Sequence, residues 1–426
     1  MLAVLILEVG LICSLFTGDI PLLRRGEEGF FRIFLSFGRD INPEEVILET
    51  DPDANGWSLR ALEGVEAPPA DWSFVEVTSS RELFDEKVPK PSEYAVLLAK
   101  LHKAGARELA STQGFSWPNA VELELRALDG SLRPFENILL PIEITEVPQP
   151  SSSPVWLQQS LLAPETLQGD ASGLPLMNQV AVPSSVSARS DLRFAFPDFG
   201  SRDLQYRAPG RLPLVTRWEG HYLPSWPLSL AMLMEGVALD EVIIEPGRHL
   251  RIGSEGPVIP LDGFGRAKLE KAQAAPKELD LLAAKFLFPL DESELPKLAN
   301  GVVLLDATDQ NAARQSHQLI TAAHTLRGFP RPGKIEKFRR LSLVWEIFIH
   351  LEIVLVGLIA LYLRPFFQLI AWAVLIAGLI FFALGLLNWH GLWMPILPLL
   401  MAIVVAWCLI GYLQQVAHPA RAKKKV

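Results

Sequence analysis

The 426-residue chain is poor in cysteine: only Cys13 and Cys408 occur, each inside an apolar run. A disulfide scaffold and a cysteine-based zinc site are thereby excluded. Basic residues are also in deficit, 39 Lys and Arg against 48 Asp and Glu, for a net charge of −9 at pH 7. A general nucleic-acid binder needs a basic face to neutralise phosphate, so that class falls away. The 33 prolines and 29 glycines follow no Gly-X-Y period and no fixed repeat, which removes collagen and solenoids. Catalytic signatures are missing as well. The chain has no P-loop, no Gly-x-Ser-x-Gly elbow, no His-Glu-x-x-His, no Cys-x-x-Cys and no Gly-x-Gly-x-x-Gly. Catalytic residues, a metal and a cofactor are all expected to be absent.

What is abundant is apolar surface: half the residues are hydrophobic and the mean hydropathy is +0.24. That balance predicts an integral membrane protein. Three long apolar runs lie near the C-terminus, at 341–362, 366–387 and 392–413, each able to cross a hydrocarbon core of ~30 Å. Pro395 and Pro398 suit a first turn or a kink of the third run. The connectors Leu363-Arg364-Pro365 and Asn388-Trp389-His390-Gly391 force an up-down-up bundle, with Trp345, Tyr362, Trp389, Trp393 and Tyr412 at interfacial positions. At the N-terminus Met1–Phe16 is apolar but interrupted by Glu8. It reads either as a cleaved signal peptide or, since a basic n-region is lacking, as an uncleaved anchor reaching to about Ile20.

Basic residues flank both ends of the bundle. Arg327, Arg331, Lys334, Lys337, Arg339 and Arg340 precede it, and Arg421, Lys423, Lys424 and Lys425 follow it. Three spans put these clusters on opposite sides, so charge counting alone does not choose. An N-terminal anchor with a cytoplasmic start puts the body outside and the tail inside. The expected division is a membrane anchor at 1–20, an extracytoplasmic domain at 21–330, and a basic juxtamembrane segment at 331–340. The bundle at 341–414 and a short basic cytoplasmic tail at 415–426 complete it.

Within the body, Glu45–Thr50 reads as a strand and Pro91–Ala104 as a helix ending at Gly105. Alternation over Val121–Arg126 predicts a half-exposed strand turned by Asp129-Gly130 toward Leu132–Phe135, and Leu139–Thr145 reads as a further strand. Pro148–Pro154 is a break that serves either as a domain linker or as a long loop. Leu228–Leu239 predicts a buried helix. Strands Glu241–Glu245 and His249–Ile252 follow, then a hairpin of Val258–Leu261 with Arg266–Leu269. Gly301–Thr308 reads as a buried parallel strand leading into a helix over Asp309–Leu326. The fold class expected is a mixed α/β (α+β) extracytoplasmic domain plus a transmembrane helical bundle.

The cation-rich stretch containing Arg207, Arg211, Arg217 and Trp218 suits either an anion-binding pocket or ordinary pairing with nearby carboxylates. His317 and His324 share a helical face, with no third metal ligand in view. Inside the first C-terminal run Glu346 and His350 are spaced to pair, and Glu352 points away from them. Intramembrane charge is costly, so all three are candidates for either packing or signalling. They fall in the outer half of the run, where an interface or a neighbouring span can satisfy them.

The ordered motifs Asp203, Arg207, Arg211-Leu212-Pro213-Leu214 and Tyr222–Ala231, then Ile259–Arg266 and Leu298–Thr308, together with three terminal spans, resemble the CHASE type 2 family. Glu45–Thr50 and Ala104-Gly105-Ala106 echo the opening of that domain. The resemblance covers nearly the whole chain and departs from the family pattern at Asp306, where glycine is usual, and in a shortened segment after Thr308. It implies an extracytoplasmic sensor of bacterial signalling proteins, in the inner membrane, with its large domain in the periplasm or exterior. No effector domain is seen, so output is expected to pass through an unidentified separate protein. The expected partners are that protein and the lipid bilayer, with no nucleic acid, and self-association is left open. The alternative is a non-enzymatic structural or assembly component of the cell envelope.

Overall fold

The computed structural model describes residue 12 and residues 21–39, 46–51, 56–64, 71–79, 84, 89–115, 117, 120–142, 155–176, 192–197, 211–218, 221–269, 281–289 and 291–417. The anchor at 1–20 (apart from Ile12), the break at 148–154 and the tail from residue 418 lie outside them. The chain divides into two compact units, Met1–Leu62 with Pro332–Val426, and Glu63–Arg331. The expected division instead kept 21–330 together as one domain.

The first unit opens with helix α1 (Pro21–Arg39), which buries Glu27, Glu28, Phe31, Phe34 and Leu35 at three- and four-residue spacing and exposes Phe37. An antiparallel pair follows, β1 (Val46–Asp51) and β2 (Gly56–Glu63), with Val46 opposite Ala61. The Phe31 ring packs 5.9 Å from Trp57, 5.3 Å from Phe338 and 4.8 Å from Trp393. That aromatic contact ties α1 and β2 to the C-terminal elements of the same unit.

The second unit is built on six strands with parallel pairing throughout. In chain order its elements are β3 (Trp72–Thr78), α2 (Pro91–Lys103), β4 (Glu108–Ser111), α3 (Glu122–Leu132), β5 (Asn137–Pro141) and β6 (Leu192–Ala195). Three short antiparallel groups come next, from β7 (Arg211–Pro213), β8 (Val215–Trp218), β9 (His221–Pro224), α4 (Trp226–Met234), β10 (Val242–Glu245), β11 (His249–Ile252), β12 (Val258–Pro260) and β13 (Arg266–Lys268). The unit closes with β14 (Leu281–Leu282), β15 (Gly301–Ala307) and α5 (Gln310–Arg327). The parallel sheet runs β14-β3-β15-β4-β5-β6.

Alternation along each strand assigns its two faces. Val75, Leu109, Ile138, Phe194, Val302 and Leu304 pack with Leu97, Leu101, Leu128 and Leu132 of α2 and α3. Phe74, Ala110, Leu139, Ala195, Val303 and Leu305 pack with Trp226 and Leu230 of α4 and Leu319 and Ile320 of α5. The opposite side of α4 (Leu228, Ala231, Met232) packs on the antiparallel groups, so all nine residues of this helix are buried. It ends at Met234, short of the expected Leu239, because Gly236 adopts φ +65°.

Two local expectations are corrected. Residues 122–132 form a helix, because the charges that alternate over a short window also sit four apart: Arg126 pairs with Glu122 at 2.5 Å, and only Leu128 and Leu132 are buried. The turn at Asp262–Gly265 forms as expected and its arms are bridged antiparallel at Leu261 and Ala267, but beyond that bridge they part, β12 pairing with β11 and β13 with β7.

The chain then returns to the first unit through β16 (Arg331–Arg340), so the basic juxtamembrane segment is a strand in the sheet β1-β2-β16-β17. Next come α6 (Leu343–Ala360), α7 (Pro365–Gly385), β17 (Leu392–Trp393) and α8 (Ile396–Ala417). The three helices are long and apolar enough to cross a membrane. The third starts later than expected because Leu392-Trp393 pairs with Arg339-Arg340, and Pro398 falls in its first turn.

Candidate functional site

In a parallel α/β sheet, ligands settle outside the carboxyl ends of the strands where successive connections leave in opposite directions. Here β3 and β4 lead into α2 and α3 on one face, while β15, lying between them, leads into α5 on the other. The residues at that edge are polar and linked. The Asp306 N–H donates to Thr112 Oγ1 at 2.9 Å, Thr112 Oγ1 lies 2.7 Å from Ser316 Oγ, and Ser316 Oγ donates to the Asp306 carbonyl at 3.0 Å. The Asp306 carboxylate closes a turn, accepting from Thr308 N at 3.0 Å and Thr308 Oγ1 at 2.6 Å. Asp309 caps α5 through Asn311 N and Ala312 N.

Tyr94 of α2 reaches the same edge, its hydroxyl donating to Gln113 Oε1. Burial, then the charge of Asp306, raises the Tyr94 phenol well above its ordinary value, so it serves as a donor and not as a base. Trp226 Nε1 donates to the Ser111 carbonyl at 2.9 Å, holding the end of β4. Thr112 and Ser316 hydrogen-bond to one another and to backbone carbonyls, and among the described residues neither hydroxyl is hydrogen-bonded to an imidazole or carboxylate. The edge presents groups that can hydrogen-bond a small polar molecule. No group of His, Cys, Asp and Glu among the described residues is arranged to hold a metal ion. His317 turns to Glu76 at 3.4 Å, and His324 packs on the Phe74 ring at 5.7 Å.

The arginine stretch is dispersed. Arg207 lies outside the described residues. Arg211, on β7, gives its guanidinium to Asp262 at 2.5 Å, and Arg266 Nε reaches the same carboxylate at 2.8 Å. Burial raises the Asp262 carboxyl, but hydrogen bonds from Arg266, Arg211 and the Phe264 N–H outweigh it and hold the group below its ordinary value. Arg217 and Trp218 belong to β8, in a different sheet. The Arg217 N–H donates to Pro175 O, and its buried Nε has no hydrogen-bond partner among the described residues.

At the membrane helices, Glu346 is buried and held by Arg340, Nε to Oε1 at 2.8 Å and Nη2 to Oε2 at 3.0 Å. His350 sets Nδ1 2.7 Å from the Glu346 carbonyl oxygen, so the histidine engages the backbone of its helical neighbour. Glu352 is exposed, and it is the tenth of the 18 residues of α6, at the helix midpoint rather than in its first half. Sequence reasoning missed Arg340 as a partner, having counted it only for topology. It missed Glu27, whose Oε1 accepts from Leu397 N at 2.5 Å, and Gln368, which ties off the α6–α7 turn by donating to the Ala360 and Leu363 carbonyls. Comparison of the chain with protein families, with curated proteins and with solved structures finds no match in any of the three.

Proposed function

We propose that this is a membrane-anchored, extracytoplasmic sensor-like protein of the CHASE type 2 kind, resident in a bacterial inner membrane and acting through a separate partner protein. The observation that carries this reading is one run of chain. Helix α5 starts at the polar sheet edge, capped by Asp309, and ends at Arg327, whose Nε donates to Glu235 at 2.7 Å. Strand β16 starts at Arg331, bound to the same Glu235 at 2.9 Å, and ends at Arg340, clamped on Glu346 of α6. A ligand that distinguishes two arrangements of the sheet edge therefore acts on a segment that continues into the first membrane helix. The second reading, an assembly component of the envelope, draws on the same edge, where the hydroxyls of Thr112 and Ser316 already satisfy one another.

A crosslink separates the two. A Cβ added at Gly357 lies 3.9 Å from the Ala406 Cβ, within the span that a disulfide bridges. In a protein with Cys13 and Cys408 replaced by serine, Gly357→Cys with Ala406→Cys reports the packing of α6 on α8. The sensor reading expects Asp306→Ala at the sheet edge to change the crosslinking yield in membranes, and an unchanged yield leaves only assembly. Reporter fusions at Pro150 and at the tail test the orientation; a cytosolic reporter at Pro150 defeats the extracytoplasmic placement.

A further inference from the structure

The second membrane helix is the least covered. In the most apolar window of α7 17% of residues are buried, against 39% for α6 and for α8. Between α6 and α7 lies a groove of about 830 Å³, lined among others by Trp345, Phe348, Ile359, Val374 and Phe382. From Trp345 to Ile359 it follows about 21 Å of α6 at ~1.5 Å per residue, a length suited to another helix lying alongside. At Gly378, on its α7 wall, an added Cβ meets nothing within 4 Å, so a neighbouring backbone has room to approach closely.

One polar side chain opens into this apolar groove, the carboxyl group of Glu352. It has no hydrogen-bond or salt-bridge partner among the described residues, whereas Glu346 one turn and a half earlier is doubly bound by Arg340. An ionisable group at the middle of a membrane helix is costly unless something pairs with it. This chain does not supply the counterpart from its own apolar segments, since residues 1–20, 343–360, 365–390 and 396–413 contain no lysine or arginine. A second copy laid in the groove brings another apolar helix without a lysine or arginine.

We propose that the groove between α6 and α7 is the docking site for one transmembrane helix of a separate protein, carrying a lysine or arginine at the depth of Glu352. The proposal deepens the partner-mediated reading above and rests on it for the partner being a separate protein. Its other requirement is that α6 and α7 lie in a bilayer.

The test uses the full chain, donor-labelled at its tail and reconstituted in phosphatidylcholine–phosphatidylglycerol vesicles. The probes are acceptor-labelled Leu/Ala helices of roughly 22 residues, with Lys, Leu or Glu at the centre. Energy transfer is expected to show the Lys helix associating at least about tenfold more tightly than the Leu helix. Glu352→Gln, which keeps size and shape, should bring that ratio to about one. Gly378→Leu, which fills the groove from its other wall, should weaken the Lys helix as well. Equal association of the Lys and Leu helices means that lipid or any apolar helix fills the groove, and overturns the proposal. So does a Lys preference that survives Glu352→Gln, or energy transfer between two labelled copies that Glu352→Gln abolishes. Reporter fusions placing 63–331 in the cytosol sink the sensor reading while leaving the Lys preference intact, so the two failures are distinguishable.

Discussion

Replacing Glu27 with glutamine should abolish a pH dependence built into the first unit. Glu27 is 1% exposed on α1. Burial pushes its carboxyl from 4.5 up to about 7, against the N–H groups of Leu397 and Ile396 and the charge of Arg340, and with the repulsion of Glu346. On its own helix the neighbouring Glu28 is paired with Arg32 at 3.1 Å. The packed state thus holds the proton more tightly than an opened state, where the carboxyl returns to its ordinary value. The associated stability is complete below that ordinary value and is lost as pH rises through about 7. Between pH 8 and pH 5 proton uptake stabilises the packing of α1 by roughly 2.5 kcal/mol, on the order of 70-fold in local opening. Amide exchange of the full chain in lipid discs, followed in peptides covering 21–39 and corrected for intrinsic rates, measures this directly. Protection should climb by about that factor in the native protein on acidification and stay nearly flat in Glu27→Gln, whose amide oxygen still accepts from Leu397. Equal slopes in the two proteins, or protection that increases with pH, would refute the argument.

Two further perturbations address the α/β unit. Glu235→Ala removes the carboxylate shared by Arg327 and Arg331, at 2.7 and 2.9 Å with side chains only 3% and 14% exposed. Stranding buried guanidinium groups should cost about 3–5 kcal/mol, read from the urea midpoint of tryptophan fluorescence, and a loss under about 1 kcal/mol is the contrary result. His324 has the opposite pH sense to Glu27, since burial and then the Arg327 charge lower it from 6.5 to about 4. Its contribution is present above the ordinary histidine value and is lost as pH falls toward 4. Allowing for its partial exposure, His324→Leu should remove roughly 1–2 kcal/mol of acid sensitivity between pH 7 and 5, seen as flattened exchange in peptides covering 310–327.

Much of the α/β unit is legible where one short-range rule decides the outcome. Gly301–Ala307 is apolar on both faces because it lies between two parallel strands, and Asp309 announces the helix after it. Pro91 and Gly105 bracket α2 for similarly local reasons. The failures come where two rules compete or the partner is remote. Residues 122–126 satisfy a period of two and a four-residue ion pair at once, and the helix forms with Leu128 and Leu132 buried. Leu392-Trp393 continues a membrane run by composition, yet it pairs with a strand more than fifty residues earlier.

The polar sheet edge illustrates a deeper obstacle, because its members are ordinary residues until topology joins them. Thr112 and Ser316 are 204 positions apart, and neither belongs to a motif. What brings them together is the insertion of β15 between β3 and β4, an ordering that hydropathy does not encode. Asp306 was visible only as a departure from the CHASE type 2 pattern, whereas in the fold its carboxylate holds the Thr308 turn that precedes α5. Arg340 shows the converse: a charge counted for topology is used up as the partner of Glu346. Once that pair and the His350–backbone contact are accounted for, the ionisable residues of α6 no longer form one group. Glu346 is satisfied by Arg340 and His350 Nδ1 by the helix backbone, whereas Glu352 is exposed, which is why the proposed docking helix is placed at Glu352 and not at the other two.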